Sequence, residues 1–301
     1  MKRRKSITAG EALFQIINYL IFGLFTLICV LPFYYLFINT ISDNSLVSKG
    51  MILWLPKGIH FENYKNVLEI KGLGHSALVS LGRTVFGTIL NVVGTSFLGY
   101  ALCKEELWHR KFWYKFVVIT MYFNAGIIPW FINMKNLGLT NNYLAYIIPG
   151  IVSPFSMILF KTYVESLPAS LEESAQLDGA GYLVTFTKIV FPLCKPIVAT
   201  IAVFSAVGQW NSFTDTLFLM SDSEYYTLQF MLYQYLNEAN ALANTMRSAL
   251  SSGIAVDPSL LITPTAVKMT VSLIVVFPIL FVYPFFQKYF VGGIMIGAVK
   301  G

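Results

Sequence analysis

The chain has 301 residues, 56% hydrophobic and only 12% charged, about half the charged share of an ordinary soluble domain. That composition excludes a pair of soluble domains and places most of the chain in lipid. The formal charge of +6 comes without a basic patch interleaved with aromatics, so it does not point to nucleic acid.

In chain order, the basic start Met1-Lys-Arg-Arg-Lys5 precedes a run without charge from 12 to 42. A secretory signal has a shorter apolar core and ends at a small-residue cleavage site, so this reads as a retained first helix. Further uncharged runs occupy 84–103, 116–134, 136–160, 196–214 and 269–287. Each is about as long as the ~20 helical residues that cross a bilayer core. The expected fold is therefore all-α, a polytopic membrane protein forming a single transmembrane domain over 1–301. Six transmembrane helices are expected at about 14–40, 80–103, 114–134, 142–162, 193–218 and 269–288.

Lys and Arg set the orientation. With the N-terminus inside, the segments 1–11, 103–115, 161–195 and 288–301 hold 13 basic residues in 73 positions, against 8 in 103 for the outward segments. Both termini and the loop 163–192 are then cytoplasmic, and the loops 41–79 and 219–268 face outward. The first outward loop carries Trp54-Leu-Pro56, a turn, and then Phe61-Glu-Asn-Tyr64, the start of a short amphipathic helix. The second carries Tyr225, Tyr226, Tyr233 and Tyr235, then an Ala-, Asn- and Ser-rich run. It reads as a surface for an extracytoplasmic partner or the arriving substrate, or equally as a lid with no contact role.

The stretch from Glu165 to Pro196, ESLPASLEESAQLDGAGYLVTFTKIVFPLCKP, is a loop patterned like structure. Ser170 and Glu173 have capping-box spacing, and Glu172 and Glu173 put negative charge at a helix start. Gly179 suits a left-handed helix end, Gly179-Ala180-Gly181 gives a tight bend, and Tyr182 to Phe191 reads as a second short helix stopped by Pro192. Two short helices at a glycine corner make a knob for a partner's socket. Its acids, net −1 over 161–195, suit a basic surface; for Glu172, helix-start chemistry alone is an equal reading.

These residues resemble the EAA signature of permease subunits in binding-protein-dependent ABC importers. The match covers Glu173, Ala175, Asp178, Gly179, Ala180, Ile189 and Pro192, and departs at Ser174 and Phe191, where Ala and Leu are usual. The resemblance implies the type I importer permease fold, with this loop as the cytoplasmic coupling helix: Glu172, Glu173, Ser174, Ala175, Asp178, Gly179, Ala180 and Gly181 would meet the ATPase.

Elsewhere the spans carry uncharged polarity and aromatic rings. Gly208-Gln-Trp-Asn-Ser-Phe213 in the fifth span resembles the W-N-x-F of sugar importers. Amide groups and flat rings suit a sugar path, so Gln209, Trp210 and Asn211 are candidates to line it, with Tyr122, Asn124 and Asn91 beside them. The same amides also serve as hydrogen-bond glue between membrane helices. The C-terminal Gly-Ala-Val299-Lys300-Gly301 resembles the tail of the second permease of maltose-type importers, which reaches the ATPase interface.

Independent chemistry is missing. Cys29, Cys103 and Cys194 form no paired motif, the three histidines lie singly with no metal-ligand spacing, and no phosphate-binding G-x-x-x-x-G-K-[ST] exists. Gly94-Thr-Ser-Phe-Leu-Gly99 is not a nucleophile elbow. The expectation is a non-enzymatic transport subunit without cofactor or metal of its own. No Asp, Glu or His sits at mid-span, which speaks against proton coupling. As implied by the resemblance, it lies in the bacterial cytoplasmic membrane and pairs with a second, non-identical permease. Two ATPase subunits would bind ATP and Mg, and an extracytoplasmic binding protein would deliver a complex oligosaccharide, as in uronate- and alginate-type systems. The alternatives are an ABC permease for a non-sugar solute and, outside that class, an ion-coupled carrier or channel.

Overall fold

A computed structural model describes residues 9–252 and 265–280, which are helical with no strand among them. In chain order the helices are α1 (Ala9–Thr40), α2 (Asn44–Ser48), α3 (Glu62–Leu68), α4 (Leu73–Ala101), α5 (Arg110–Tyr122), α6 (Ile127–Asn136), α7 (Pro154–Val164) and α8 (Ser170–Leu177). There follow α9 (Tyr182–Thr185), α10 (Phe191–Leu193), α11 (Lys195–Asn211), α12 (Thr214–Leu219) and α13 (Leu228–Ser251), and α14 (Thr265–Leu280).

The chain divides into two compact units, one of Met1–Glu69 with Tyr235–Ile274, the other of Ile70–Gln234 with Val275–Gly301. In the first, α1 is apolar and exposed over most of its length, as expected of a helix that meets lipid or another subunit rather than its own chain. Its last turn is tied down by polar contacts. Asn63 donates to the Thr40 carbonyl at 3.0 Å, and the Thr40 and Tyr64 hydroxyls are 2.7 Å apart. Asp43 caps α2, accepting from Ser45 N at 2.9 Å and its hydroxyl at 2.5 Å, and these bonds lower its carboxyl below the ordinary value. The short helix expected after Trp54-Leu-Pro56 is α3.

The second unit is organised on α4. Ser76, Ser80, Arg83, Gly87, Asn91, Thr95 and Gly99 are buried at helical spacing, while Leu78, Leu81, Val85, Phe86, Ile89 and Val93 are exposed. Small and polar residues thus make up much of the inward face, with Val79, Val92 and Tyr100 among them, an arrangement that lets helix backbones approach closely in lipid. Both α11 and α7 pack on that small-residue face. A Cβ on Gly94 would stand 2.8 Å from the Ile151 carbonyl oxygen, and one on Gly99 would stand 3.0 Å from that of Met157.

The spans are less regular than the six continuous helices expected. Among the described residues, α1 and α4 are long and apolar enough to cross a membrane unbroken, and up to five spans result if each bent pair counts as one. The pair α5 and α6 meets at 119°: Gly126 takes φ +86° and the Asn124 side chain accepts from its N–H at 2.9 Å, so local turn chemistry replaces the helical ladder. Between Tyr143 and Gly150 the chain runs as two short 3₁₀ turns, bent 41° from α7. Pro149 and Pro154 lack the N–H a continuous helix needs. The Tyr182–Leu193 stretch meets α11 at 82°. Of the last expected span, α14 covers up to Leu280, and 281–288 lie outside the described residues.

Candidate functional site

The loop after α7 begins as Pro168 fixes its own φ. The first turn of α8 forms on it, with Leu171 N donating to the Pro168 carbonyl and Glu172 and Glu173 N to that of Ala169. Ser170 is therefore already inside the helix and makes no cap bond, so the expected Ser170–Glu173 capping box does not form. Proline starts this helix one step earlier than the serine would.

The far end matches expectation. Gly179 takes φ +79°, Ala180 N donates to the Ala175 carbonyl and Gly179 N to that of Gln176, both at 2.9 Å. These two bonds define a Schellman end, which a glycine closes at little steric cost. Beyond the corner the second helix does not stop at Pro192. It passes from α9 through a π-turn, Phe186–Val190, where Phe191 N reaches the Phe186 carbonyl, and runs on to Leu193. The wider π-turn accommodates a ring that would crowd an α-helical carbonyl.

Two faces result. Ala175 is buried and Ala180 half-buried, while Glu173, Ser174, Asp178, Gly179 and Gly181 are exposed. Leu177 is 89% exposed, and Leu171, Tyr182 and Leu183 are also open, an apolar set on a charged loop. Ser174 spends its hydroxyl on the Ser170 carbonyl at 2.8 Å. Glu172 turns inward and forms an ion pair with Lys104, just beyond α4. Lys104 also lies 4.2 Å over the Tyr100 ring, and burial pulls its pKa below the usual lysine value. The nearby Glu106 carboxylate raises the Tyr182 phenol. Phe186 packs edge-on to Phe97 at 5.7 Å and against Tyr100 at 5.2 Å. Arg110 and Lys161 both hold Glu165, at 2.9 and 2.6 Å. The loop is thus clamped to the end of α4.

Glu172→Lys should disrupt that clamp, because it sets two ammonium groups together in a half-buried site. We expect the variant to insert but to release the loop, so that protease cuts it at least about twice as fast, with partial recovery in the Glu172→Lys/Lys104→Glu swap. Limited proteolysis of membranes carrying equal amounts of each variant is the check.

A cavity of about 620 Å³ opens on the inner side of α4 and α11, lined by Asn91, Arg83, Tyr146, Ser153, Ser156, Phe204, Ser205, Gln209, Ser212 and Asp215 among others. Asn91 and Gln209, two of the expected path residues, are on its wall. Asn91 donates to the Gly150 carbonyl at 2.7 Å, and Gln209 to that of Tyr146 at 3.2 Å. The other expected path residues are elsewhere. The Trp210 indole donates to the Val275 carbonyl at 2.9 Å, and Asn211 is exposed at the end of α11. Tyr122, 85% exposed, and Asn124 lie at the α5–α6 break. The tail residues Val299, Lys300 and Gly301 lie outside the described residues.

The most polar element of this wall was not anticipated. Arg83 is 2% exposed and pairs with Asp215 at 2.5 Å. The uncharged run starting at 84 put Arg83 at a span edge, but α4 begins at Leu73, ten residues earlier. The signal was a basic residue continuing the spacing of buried small residues along α4. Among the described residues, no three His, Cys, Asp or Glu side chains stand together as a metal site.

Comparison with known proteins places this geometry. The model of the "Binding-protein-dependent transport system inner membrane component" family matches residues 6–296, and the chain belongs to that family. It is a transport component of the inner membrane, not an enzyme, with the type I ABC permease fold. The Bacillus subtilis polygalacturonan/rhamnogalacturonan transport system permease protein YtcP is 35% identical over 96% of this chain and 99% of its own length. The arabinooligosaccharides transport system permease protein AraQ of Halalkalibacterium halodurans is 27% identical over 93% and 94%. Among solved structures, a bacterial ABC transporter involved in the import of the acidic polysaccharide alginate superposes with TM-score 0.81 and 31% identity, over 95% of this chain and 100% of that one.

Proposed function

We propose that the chain is the permease subunit of an ATP-driven importer that moves an oligosaccharide into the cytoplasm. The observation that carries this reading is the α8–Gly179 corner, an exposed apolar and acidic knob clamped to a cavity-lining helix, on a chain 31% identical to an alginate-importer subunit along 95% of its length. A relative named for polygalacturonan and rhamnogalacturonan and a solved structure named for the acidic polysaccharide alginate support a uronate-containing substrate over a neutral one.

In this account the transporter contains a second, non-identical permease, two ATPase subunits that bind ATP and Mg, and an extracytoplasmic binding protein. Both termini are cytoplasmic. The residues Glu173, Ser174, Asp178 and Gly181 face the ATPase, while Glu172 and Ala175 hold the helix to its own chain. Closure of the ATPase pair on ATP presses the knob, and the clamp at Lys104 passes the displacement to α4 and so to the cavity. Asn91 and Gln209 contribute amide groups to the path, Trp210 ties α11 to α14, and Asn211, Tyr122 and Asn124 belong to helix surfaces available to the second permease. The test is uptake by vesicles holding the whole complex, with ATP inside and binding protein outside. Labelled uronate oligosaccharides should enter only with both present; entry driven by an ion gradient without ATP overturns the reading.

A further inference from the structure

Arg83 has five N–H groups, and each has an acceptor within the chain. Nε donates to Gln209 Oε1 at 3.2 Å and Nη2 to the same atom at 3.0 Å. The fork meets Asp215 at 3.1 Å from Nη1 and 2.5 Å from Nη2, and Nη1 reaches the Ser212 carbonyl at 3.3 Å. The guanidinium carbon lies 4.3 Å over the Tyr146 ring. Asp215 Oδ1 is held in its turn, accepting also from the Ser212 hydroxyl at 3.1 Å and Thr216 N at 3.0 Å.

A guanidinium with no spare donor, balanced by a carboxylate, offers no positive charge to a passing sugar acid, although it borders the cavity. From its place on α4, Arg83 reaches two other parts of the chain: the 3₁₀ segment at Tyr146 and the corner where α11 ends at Asn211 and α12 begins. Gln209 is held from both ends, its oxygen by Arg83 and its nitrogen by the Tyr146 carbonyl. Its side chain also presses within 2.7 Å of where a Cβ on Gly87 would be, so its place on the wall is set by this network.

We propose that Arg83 is a positioning residue for transport: by filling all five donors within the chain it makes α4, the Tyr146 segment and the α11–α12 corner move as one body and fixes Gln209 on the cavity wall. This rests on the transport reading above. Lysine keeps the charge but not the planar fork. A methionine–leucine pair of similar volume removes both charges, and such exchanges of buried ion pairs are often neutral or stabilising for folding.

The test uses the whole complex in vesicles, with uptake, binding-protein-stimulated ATP hydrolysis and the amount of assembled complex measured together. For Arg83→Lys and for Arg83→Met/Asp215→Leu we expect assembly near the unsubstituted level and uptake lowered about tenfold or more. ATP hydrolysis should persist in both, so that ATP consumed per sugar rises. A methionine–leucine variant with normal uptake and normal ATP use would overturn the proposal, showing the pair to be replaceable packing. Failure of both variants to assemble would also overturn it, reducing Arg83 to a folding role. If instead the unsubstituted complex showed no ATP-driven uptake, the transport reading itself would fall.

Discussion

Gly94→Leu should remove the protein from the membrane. A Cβ there meets Ile151 twice at 2.8 Å, at the Cγ2 methyl and at the carbonyl oxygen, and backbone cannot swing aside as a flexible side chain can. Overpacking of a tight core costs about 1–3 kcal/mol, occasionally more. Here the clash falls on the α4 face that carries α7 and α11, so separation of the helices is the only relief. The control is Gly74→Leu in the first turn of the same helix, where an added Cβ meets nothing within 4 Å. Membrane levels, measured by immunoblot after pulse labelling, should fall about tenfold for position 94 and stay near normal for position 74. Equal levels would mean that α4 and the Ile151 segment are not in contact in the membrane.

The second large effect is expected from Gly179→Asp, and it should leave insertion intact. Position 179 has φ +79° and open space around it, so the cost is backbone strain rather than collision, about 1–2 kcal/mol for a residue with a Cβ. The added carboxylate also faces the negative end of α8, unfavourable by a further ~0.3–1 kcal/mol. Loss of the Schellman end reorients the knob relative to Phe186 and the Lys104–Glu172 pair. Uptake should drop about tenfold or more while the chain remains in the membrane. Gly179→Asn is the matched comparison, because asparagine tolerates the left-handed φ of +79° at a helix end and adds no charge; it should transport far better. A Gly179→Asp protein with normal uptake would contradict the coupling role of this corner.

What the sequence made legible, and what it hid, follows from how local each signal is. The helix end at Gly179 needs only its own three residues, and Gly-Ala-Gly announced it. The helix start was misplaced because Ser170 and Glu173 fit a pattern that Pro168 pre-empted two residues earlier. The overall helical membrane architecture was readable from uncharged runs, since lipid tolerates little else. The breaks within those runs were not, because Gly126, Pro149 and Pro154 sit in segments as apolar as a straight span. Gly94 and Gly99 were weighed only as part of a catalytic motif and set aside. Their use, close approach of backbones, depends on Ile151 and Met157, more than fifty residues further along. Arg83 was hidden in the same way: the acceptors of its five N–H groups are supplied by residues 126 to 132 positions later, and the uncharged run from 84 left it at a span edge. Of the amides on the expected path, Asn91 and Gln209 border the cavity, and nothing in W-N-x-F distinguishes Gln209 from its neighbour Trp210, which bonds to α14.

The central claim, that this chain passes the work of a separate ATPase to a sugar path, is tested most directly by what it holds on to. The chain should be tagged, extracted gently from its native membrane, and its bound partners identified. The account predicts a second, non-identical permease together with a nucleotide-binding subunit that carries a phosphate loop. Recovery of the chain alone, or only with copies of itself, would contradict it.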